Sequence, residues 1–267
     1  MRKLSGPTRA GRKRYLRRLL ATALCFALFG LSSIGMSLLV VPIAQLLPAA
    51  TETRRLRVRA AIGWGLRSFA HLMRALGVLS YEIAGTERLG RPGQLIVANH
   101  PTLIDGIFLL GHTPTSCCIV KHALRASPFT GWAVRAAGYV SNAPTDAMVT
   151  EAAAALLAGQ SVIIFPEGTR TEPGQPMRFH RGAAAIAMRA AAVVTPVFIR
   201  CIPPTLSKGS PWYRIPERRV HLSIRVGTDI DPEPLRDGAP APIAARELND
   251  LLLRSYATEF TAARECD

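Results

Sequence analysis

The chain has 267 residues and a formal net charge of +15, long enough for one catalytic domain plus an extra segment, with a sizeable core and no need of disulfides. Residues 1–59 hold twelve Lys or Arg and one acid, which leaves a net charge of only +4 for the rest. Charge so concentrated, with no nucleic-acid motif beside it, argues against nucleic acid as a partner and points to anionic lipid headgroups.

Residues 1–18 are basic, with Arg2, Lys3, Arg9, Arg12, Lys13, Arg14, Arg17 and Arg18 and no acid. From Leu19 to Thr51 no residue is charged. Such a stretch exceeds the 7–15 residues of a signal-peptide core and suffices to cross a hydrocarbon layer of roughly 30 Å. Residues 19–51 therefore read as a membrane segment. Gly30 and Gly35 are expected to break it into a helical hairpin, with a single span as the alternative. Both flanks are basic, since Arg54, Arg55, Arg57 and Arg59 follow, and the positive-inside tendency keeps both in the cytoplasm. Residues 52–79 then form an amphipathic helix, with Arg67, His71 and Arg74 on one face and Trp64 suited to the interface. The five cysteines (Cys25, Cys117, Cys118, Cys201 and Cys266) show no metal-ligand spacing. They read as buried thiols in a reducing compartment, and no metal or other cofactor is implied.

Residues 80–267 make the catalytic domain. Strands are predicted at 81–85, 95–97, 116–120, 138–140, 161–164, 193–201 and 220–226. Helices are predicted at 102–110, 128–137, 145–157, 182–192 and 243–263. Residues 203–216, with four prolines, and 231–242 are expected to be loops. Alternating strands and helices give an α/β sandwich with a mostly parallel sheet, preceded by membrane-associated helices.

His100 falls at the C-terminal end of the Leu95-Ile96-Val97 strand, where open α/β sheets place their ligands. Asp105 follows five residues later, close enough for one turn to return its carboxylate to the imidazole. A carboxylate on one ring nitrogen leaves the other as a general base. The competing reading of the same stretch is a helix-capping Asn99 followed by a structural His and Asp. Downstream, a second apolar strand runs directly into Phe165-Pro166-Glu167-Gly168-Thr169-Arg170.

Asn-His-x4-Asp followed by Phe-Pro-Glu-Gly-Thr-Arg resembles the 1-acyl-sn-glycerol-3-phosphate acyltransferase (glycerolipid acyltransferase) family, over residues 81–226. The resemblance implies transfer of a fatty acyl group from acyl-CoA or acyl carrier protein to the free hydroxyl of a lysolipid. With 1-acyl-glycerol-3-phosphate as acceptor, the product is phosphatidic acid. His100 would be the base and Asp105 its orienting acid, while Glu167, Gly168, Thr169 and Arg170 would bind the acceptor. Lys121, with Pro128, Gly131 and Gly138, matches a second block of the family, and Arg181 opens a helix that adds positive charge near a phosphate. Cytoplasmic thioester donors imply an inner-membrane enzyme whose catalytic domain faces the cytoplasm.

Backbone N–H groups around Glu167-Gly168-Thr169 are candidate oxyanion donors. The chain has no Gly-x-Ser-x-Gly elbow, which weighs against a serine hydrolase. A non-catalytic membrane-binding protein would have no need of both His100 and Asp105. One departure stands out, because the family's second block ends in an Arg for acceptor phosphate and this chain has Ser141-Asn142 there. No Arg or Lys occurs between Arg135 and Arg170. That leaves a lyso-ornithine lipid or an aryl-polyene-type lipid open as the acceptor.

Overall fold

The strand that carries His100, β2 (Gln94–Ala98), is buried along its whole length, as a near-continuous apolar run demands when both sheet faces are covered. It is central in a seven-stranded sheet seen in a computed structural model that describes residues 9–171 and 175–265. Arg2, Lys3 and Cys266 lie outside the described residues. The other strands are β1 (Leu79–Ala84), β3 (Cys117–Val120), β4 (Val140–Ser141), β5 (Val162–Ile164), β6 (Val193–Ile202) and β7 (Val220–Val226). Their order is β1-β7-β6-β2-β5-β3-β4. Strands β2 to β6 are mutually parallel, whereas β7 is antiparallel to β6 and carries β1 parallel to itself. The sheet is thus mixed but mostly parallel, as the alternating pattern predicts.

Helices cover both faces. On one side α3 (Thr51–Ala75) packs on α4 (Asp105–His112), and on the other α8 (Gly182–Ala190) packs between α7 (Thr145–Leu157) and α10 (Ala241–Glu265). The α3–α4 contact is close because Gly63 has no side chain; a Cβ there would lie 2.5 Å from Pro114 Cβ. Strands β2 and β5 are neighbours, yet β2 leads into α4 and β5 leads towards α8 on the opposite face. The chain therefore leaves the two strands towards opposite faces, and such a switch point is the usual ligand position in these sheets.

The apolar N-terminal run differs from the expected hairpin. Helix α1 (Arg9–Gly35) continues through a π-helical stretch (Met36–Val40) into α2 (Val41–Leu46). Gly30 and Gly35 do not break it, since an isolated helical glycine costs only about 1 kcal/mol and the neighbours are helix formers. The chain reverses after Leu46 instead, and α3 returns alongside, so the hairpin forms between residues 9–46 and α3. Side chains hold the long helix to the domain along its length. Arg18 donates to the carbonyls of Pro216 and Glu217. Phe26 packs on Trp212 and Phe29 on Phe69. Ser37 Oγ donates to Phe129 O at 2.8 Å.

Three smaller elements also depart from expectation. The helix predicted at 102–110 runs from Asp105 to His112, because residues 100–104 form the turn that holds the site. The helix predicted at 128–137 is present as the shorter α6 (Gly131–Ala136), and an unpredicted short helix, α5 (His122–Ala126), precedes it. The loop expected at 231–242 contains α9 (Glu233–Gly238). Asp231 Oδ1 accepts the Glu233 N–H at 2.9 Å, and Arg236 donates to the Ala187, Met188 and Ala191 carbonyls that end α8. A cation on orphan carbonyls at a helix C-terminus favours this arrangement.

Candidate active site

Asn99 ends the β2 ladder with its side chain. Its amide donates to Ile199 O at 2.9 Å and accepts the Ile199 N–H at 2.8 Å. The side chain thereby replaces a backbone rung to β6 and frees the main chain to turn at His100. This role differs from the helix cap considered for it, since helix α4 begins only at Asp105.

Two further bonds fix the His100 backbone. Its N–H donates to Glu167 Oε1 at 2.8 Å, and its carbonyl accepts the Thr171 N–H at 2.7 Å. The imidazole Nδ1–H then donates to Asp105 Oδ2 at 2.8 Å, and the same oxygen accepts the Thr102 N–H at 2.8 Å. One face of the ring lies against Phe165, with centroids 4.5 Å apart. Asp105 is fully buried, while the His100 side chain keeps 18% of its surface exposed. With Nδ1 held by a carboxylate, Nε2 carries the lone pair and can accept a proton.

Burial pushes Asp105 up to about 6, against the opposing hydrogen bond and charge of His100. Its second oxygen, Oδ1, is buried with no hydrogen-bond partner among the described residues. Burial also raises Glu167, opposed by the His100 N–H and the Thr171 hydroxyl, which donates to the same Oε1 at 2.8 Å. Cys201 is pushed up to about 12, first by burial and then by the nearby Asp105 charge. It stays a thiol at neutral pH and so offers no nucleophile.

An apolar cavity of about 350 Å³ opens beside the turn, bounded by Leu103, Ile104 and Gly106 on either side of Asp105. Its other walls include Phe26 and Phe29 of α1, Met73 of α3 and Trp212 of the 203–216 loop. A volume in this range with apolar walls suits an apolar ligand or chain.

An acyltransferase family profile matches residues 80–200. A lyso-ornithine lipid O-acyltransferase of Pseudomonas aeruginosa is 33% identical over 189 residues, which is 69% of this chain and 69% of that protein. The chain belongs to the acyltransferase family. A 1-acyl-sn-glycerol-3-phosphate acyltransferase of the same organism is 29% identical over 182 residues, covering 66% of this chain and 69% of that protein. The crystal structure of the LPA acyltransferase PlsC from Thermotoga maritima shares the fold, with a TM-score of 0.70 at 22% identity over 92% of this chain and 98% of that one.

In this acyltransferase the residues singled out in the sequence fall into two groups. His100, Asp105 and Glu167 are in direct contact, and Gly168 and Arg170 stand next to them. Gly168 has a φ of 63°, and a Cβ there would meet His180 Cδ2 at 3.1 Å. Its N–H donates to Phe165 O at 3.1 Å, so this one of the candidate oxyanion donors is occupied by its own turn. Arg170 directs Nη1 at the carbonyls of Leu206 (2.6 Å) and Ser207 (3.1 Å). Thr169 is half-buried in the same turn. Lys121 is exposed at the carboxyl end of β3, with β5 between β3 and β2, and Arg181 is exposed before α8. Neither side chain makes a hydrogen bond or ion pair among the described residues. Beside Lys121, His122 N–H donates to Asn142 Oδ1 at 2.9 Å and His122 Nδ1 lies 3.3 Å from Ser141 Oγ.

Two positioning features escaped the sequence reading. Tyr256 of α10 donates its hydroxyl to Val97 O at 2.7 Å, with Val197 O at 3.1 Å, and so pins the carboxyl end of β2 to the middle of β6. The other is the clamp of Glu167 and Thr171 on the His100 backbone. An alternating apolar helix gives no hint of the first. The Phe-Pro-Glu motif marks Glu167 as special but does not name its partner.

Proposed function

We propose that this acyltransferase moves a fatty acyl group from a thioester, acyl-CoA or acyl carrier protein, to the free hydroxyl of 1-acyl-glycerol-3-phosphate, giving phosphatidic acid. The observation that carries the reading is the His100–Asp105 pair on a turn whose Leu103, Ile104 and Gly106 line an apolar cavity. His100 Nε2 takes the hydroxyl proton as the acceptor oxygen attacks the thioester carbonyl. Asp105 keeps the ring in place and stabilises the imidazolium. The tetrahedral intermediate then expels the thiolate, which leaves with the proton from His100. No acyl-enzyme is needed. The cavity takes the acyl chain, and Arg170 contacts the acceptor headgroup through the guanidinium edge not turned to Leu206 and Ser207, with Lys121 and Arg181 as further cations.

A second acceptor has its own support. The 33% identical relative is a lyso-ornithine lipid O-acyltransferase, and a hydrogen-bonded His122-Ser141-Asn142 group stands where the family's phosphate Arg would be. A panel of lysolipids offered to the purified protein with labelled thioesters decides between them. Transfer to lysophosphatidate that is lost in Arg170→Ala supports the first acceptor, and turnover of lyso-ornithine lipid alone replaces it. Near-normal transfer by His100→Ala would overturn the mechanism.

The enzyme is monotopic in this reading, lying on the cytoplasmic face of the inner membrane. Helix 11–46 is apolar and long enough to cross a bilayer, but Arg18 and Ser37 both bind the catalytic domain. At 1.5 Å per residue these anchors are about 28 Å apart along the axis, close to the full hydrocarbon thickness of roughly 30 Å. A perpendicular span would allow such contact at one end only. Leu20, Leu31, Leu46 and Trp64 are exposed on the outside of this assembly and would meet lipid. Anionic headgroups would meet the basic flanks. Cysteine labelling that places residue 11 outside the cell and residue 261 inside would refute this placement.

A further inference from the structure

Leu206 is the one non-glycine residue with a positive φ among the described residues, at 50°. The left-handed region is unfavourable for a residue with a Cβ, and such strain persists where the surroundings impose it. Here the backbone and the side chain meet different partners. The carbonyl accepts Arg170 Nη1 at 2.6 Å and the Leu103 N–H at 3.3 Å. The side chain forms part of the wall of the 350 Å³ cavity, as does Leu103. A swing of φ to an ordinary value would carry both the carbonyl and the side chain away from these contacts.

We propose that Leu206 is a positioning residue that couples the apolar cavity to Arg170, so that an acyl chain in the cavity sets the guanidinium for the acceptor. The inference rests on reading the cavity as the acyl site and Arg170 as an acceptor contact. A chain filling the cavity presses on the Leu206 side chain and holds its backbone in the left-handed turn. The carbonyl then fixes Nη1, and the opposite edge of the guanidinium is presented in one orientation. With the cavity empty or partly filled, the turn can relax and the guanidinium loses its anchor. The coupling is reciprocal in affinity, so bound acceptor also tightens the donor chain. Loss of one well-oriented charged hydrogen bond corresponds to about a tenfold change in affinity or more.

The test measures acceptor KM with thioesters of short and long acyl chains, using the full-length protein in detergent micelles. In the natural protein, acceptor KM is expected to be about three- to tenfold higher with a hexanoyl donor than with a palmitoyl donor. Leu206→Gly adopts the left-handed turn freely but has no side chain in the wall, so its acceptor KM should no longer depend on chain length. Leu206→Val is apolar but strongly disfavours positive φ. It should raise acceptor KM about tenfold with every donor, with a smaller effect on kcat. Leu206→Asn, which tolerates the left-handed region, should behave as the Gly variant does and replaces it if that variant melts early. Acceptor KM independent of chain length in the natural protein, or unchanged in Leu206→Val, would overturn the coupling. Arg170→Ala separates the two levels. A raised KM there with no Leu206 effect removes only the coupling, whereas an unchanged KM there removes the acceptor role of Arg170 and the coupling with it.

Discussion

Replacing Asp105 by Asn should nearly abolish transfer while leaving the fold as stable as before or more so. The carboxylate is fully buried, and burial lifts it to about 6, some two units above the unfolded reference of about 3.9. Because the folded value is the higher one, the ionised group opposes folding by roughly 3 kcal/mol at neutral pH, and this penalty is relieved as pH falls through about 6 towards 4. Asparagine removes the charge and keeps an oxygen for the Thr102 N–H and the His100 ring. Its NH2 falls where Oδ1 is buried without a partner, which costs about 1–3 kcal/mol. The balance is a change of roughly 0–2 kcal/mol towards stability, or a rise of up to a few degrees in Tm. The imidazolium, however, loses its counter-charge, and activity should fall on the order of 10³-fold. Thermal unfolding in detergent and transfer of a labelled acyl group to a lysolipid measure the two effects on one preparation. The natural protein should also lose kcat/KM as pH drops through about 6, where Asp105 takes up its proton. A variant destabilised by more than about 3 kcal/mol, or one keeping over a tenth of its activity, would refute the reasoning.

Glu167→Gln should retain most activity, since an amide oxygen can still accept the His100 N–H and the Thr171 hydroxyl; Glu167→Ala should lose about 1–3 kcal/mol of stability and much of its kcat, as chemical denaturation and initial rates would show. Gly168→Ala combines a φ of 63° with a 3.1 Å contact to His180, so a loss of about 1–2 kcal/mol is expected, together with a lower transfer rate. Arg59 is 1% exposed and donates to the carbonyls of Ala137, Thr115 and Gly138 and to Gln160 Oε1. Arg59→Ala leaves these acceptors unpaired and should therefore cost about 1–3 kcal/mol or more, visible as a fall in Tm and as protease sensitivity at the α3 junction.

The parts of this molecule that announce themselves in the sequence are those fixed by short-range rules. The helix predicted at 145–157 coincides with α7, and the strand at 220–226 with β7, because local periodicity decides both. His100 and Asp105 are legible for the same reason, being five residues apart across one turn. The rest of the site is made by the order of the strands. Glu167 reaches the His100 N–H only because β5 lies beside β2, and nothing local to either strand states that neighbour. Arg170 finds Leu206 and Ser207 in a proline-rich segment with no periodicity to read. Arg59 has the look of one more cation on a basic amphipathic helix. Its burial depends on the carbonyls that end α6 and lead into β4, and those are assembled only in the fold.

In the proposed placement the N-terminal helix does more than hold the protein at a membrane, because Phe26 and Phe29 form part of the wall of the cavity next to the His100 turn. Anchor and reaction vessel are one object in that reading. A truncated chain beginning at α3 would keep every strand, His100 and Asp105, yet its cavity would lie open along one side. Trimming the N-terminal helix to solubilise such an enzyme would remove a wall of the chamber as well as the proposed tether. The apolar side chains on the inner face of α1 are consequently under two demands at once, to tolerate lipid nearby and to fit the cavity's contents. A helix borrowed from a membrane protein would satisfy only the first.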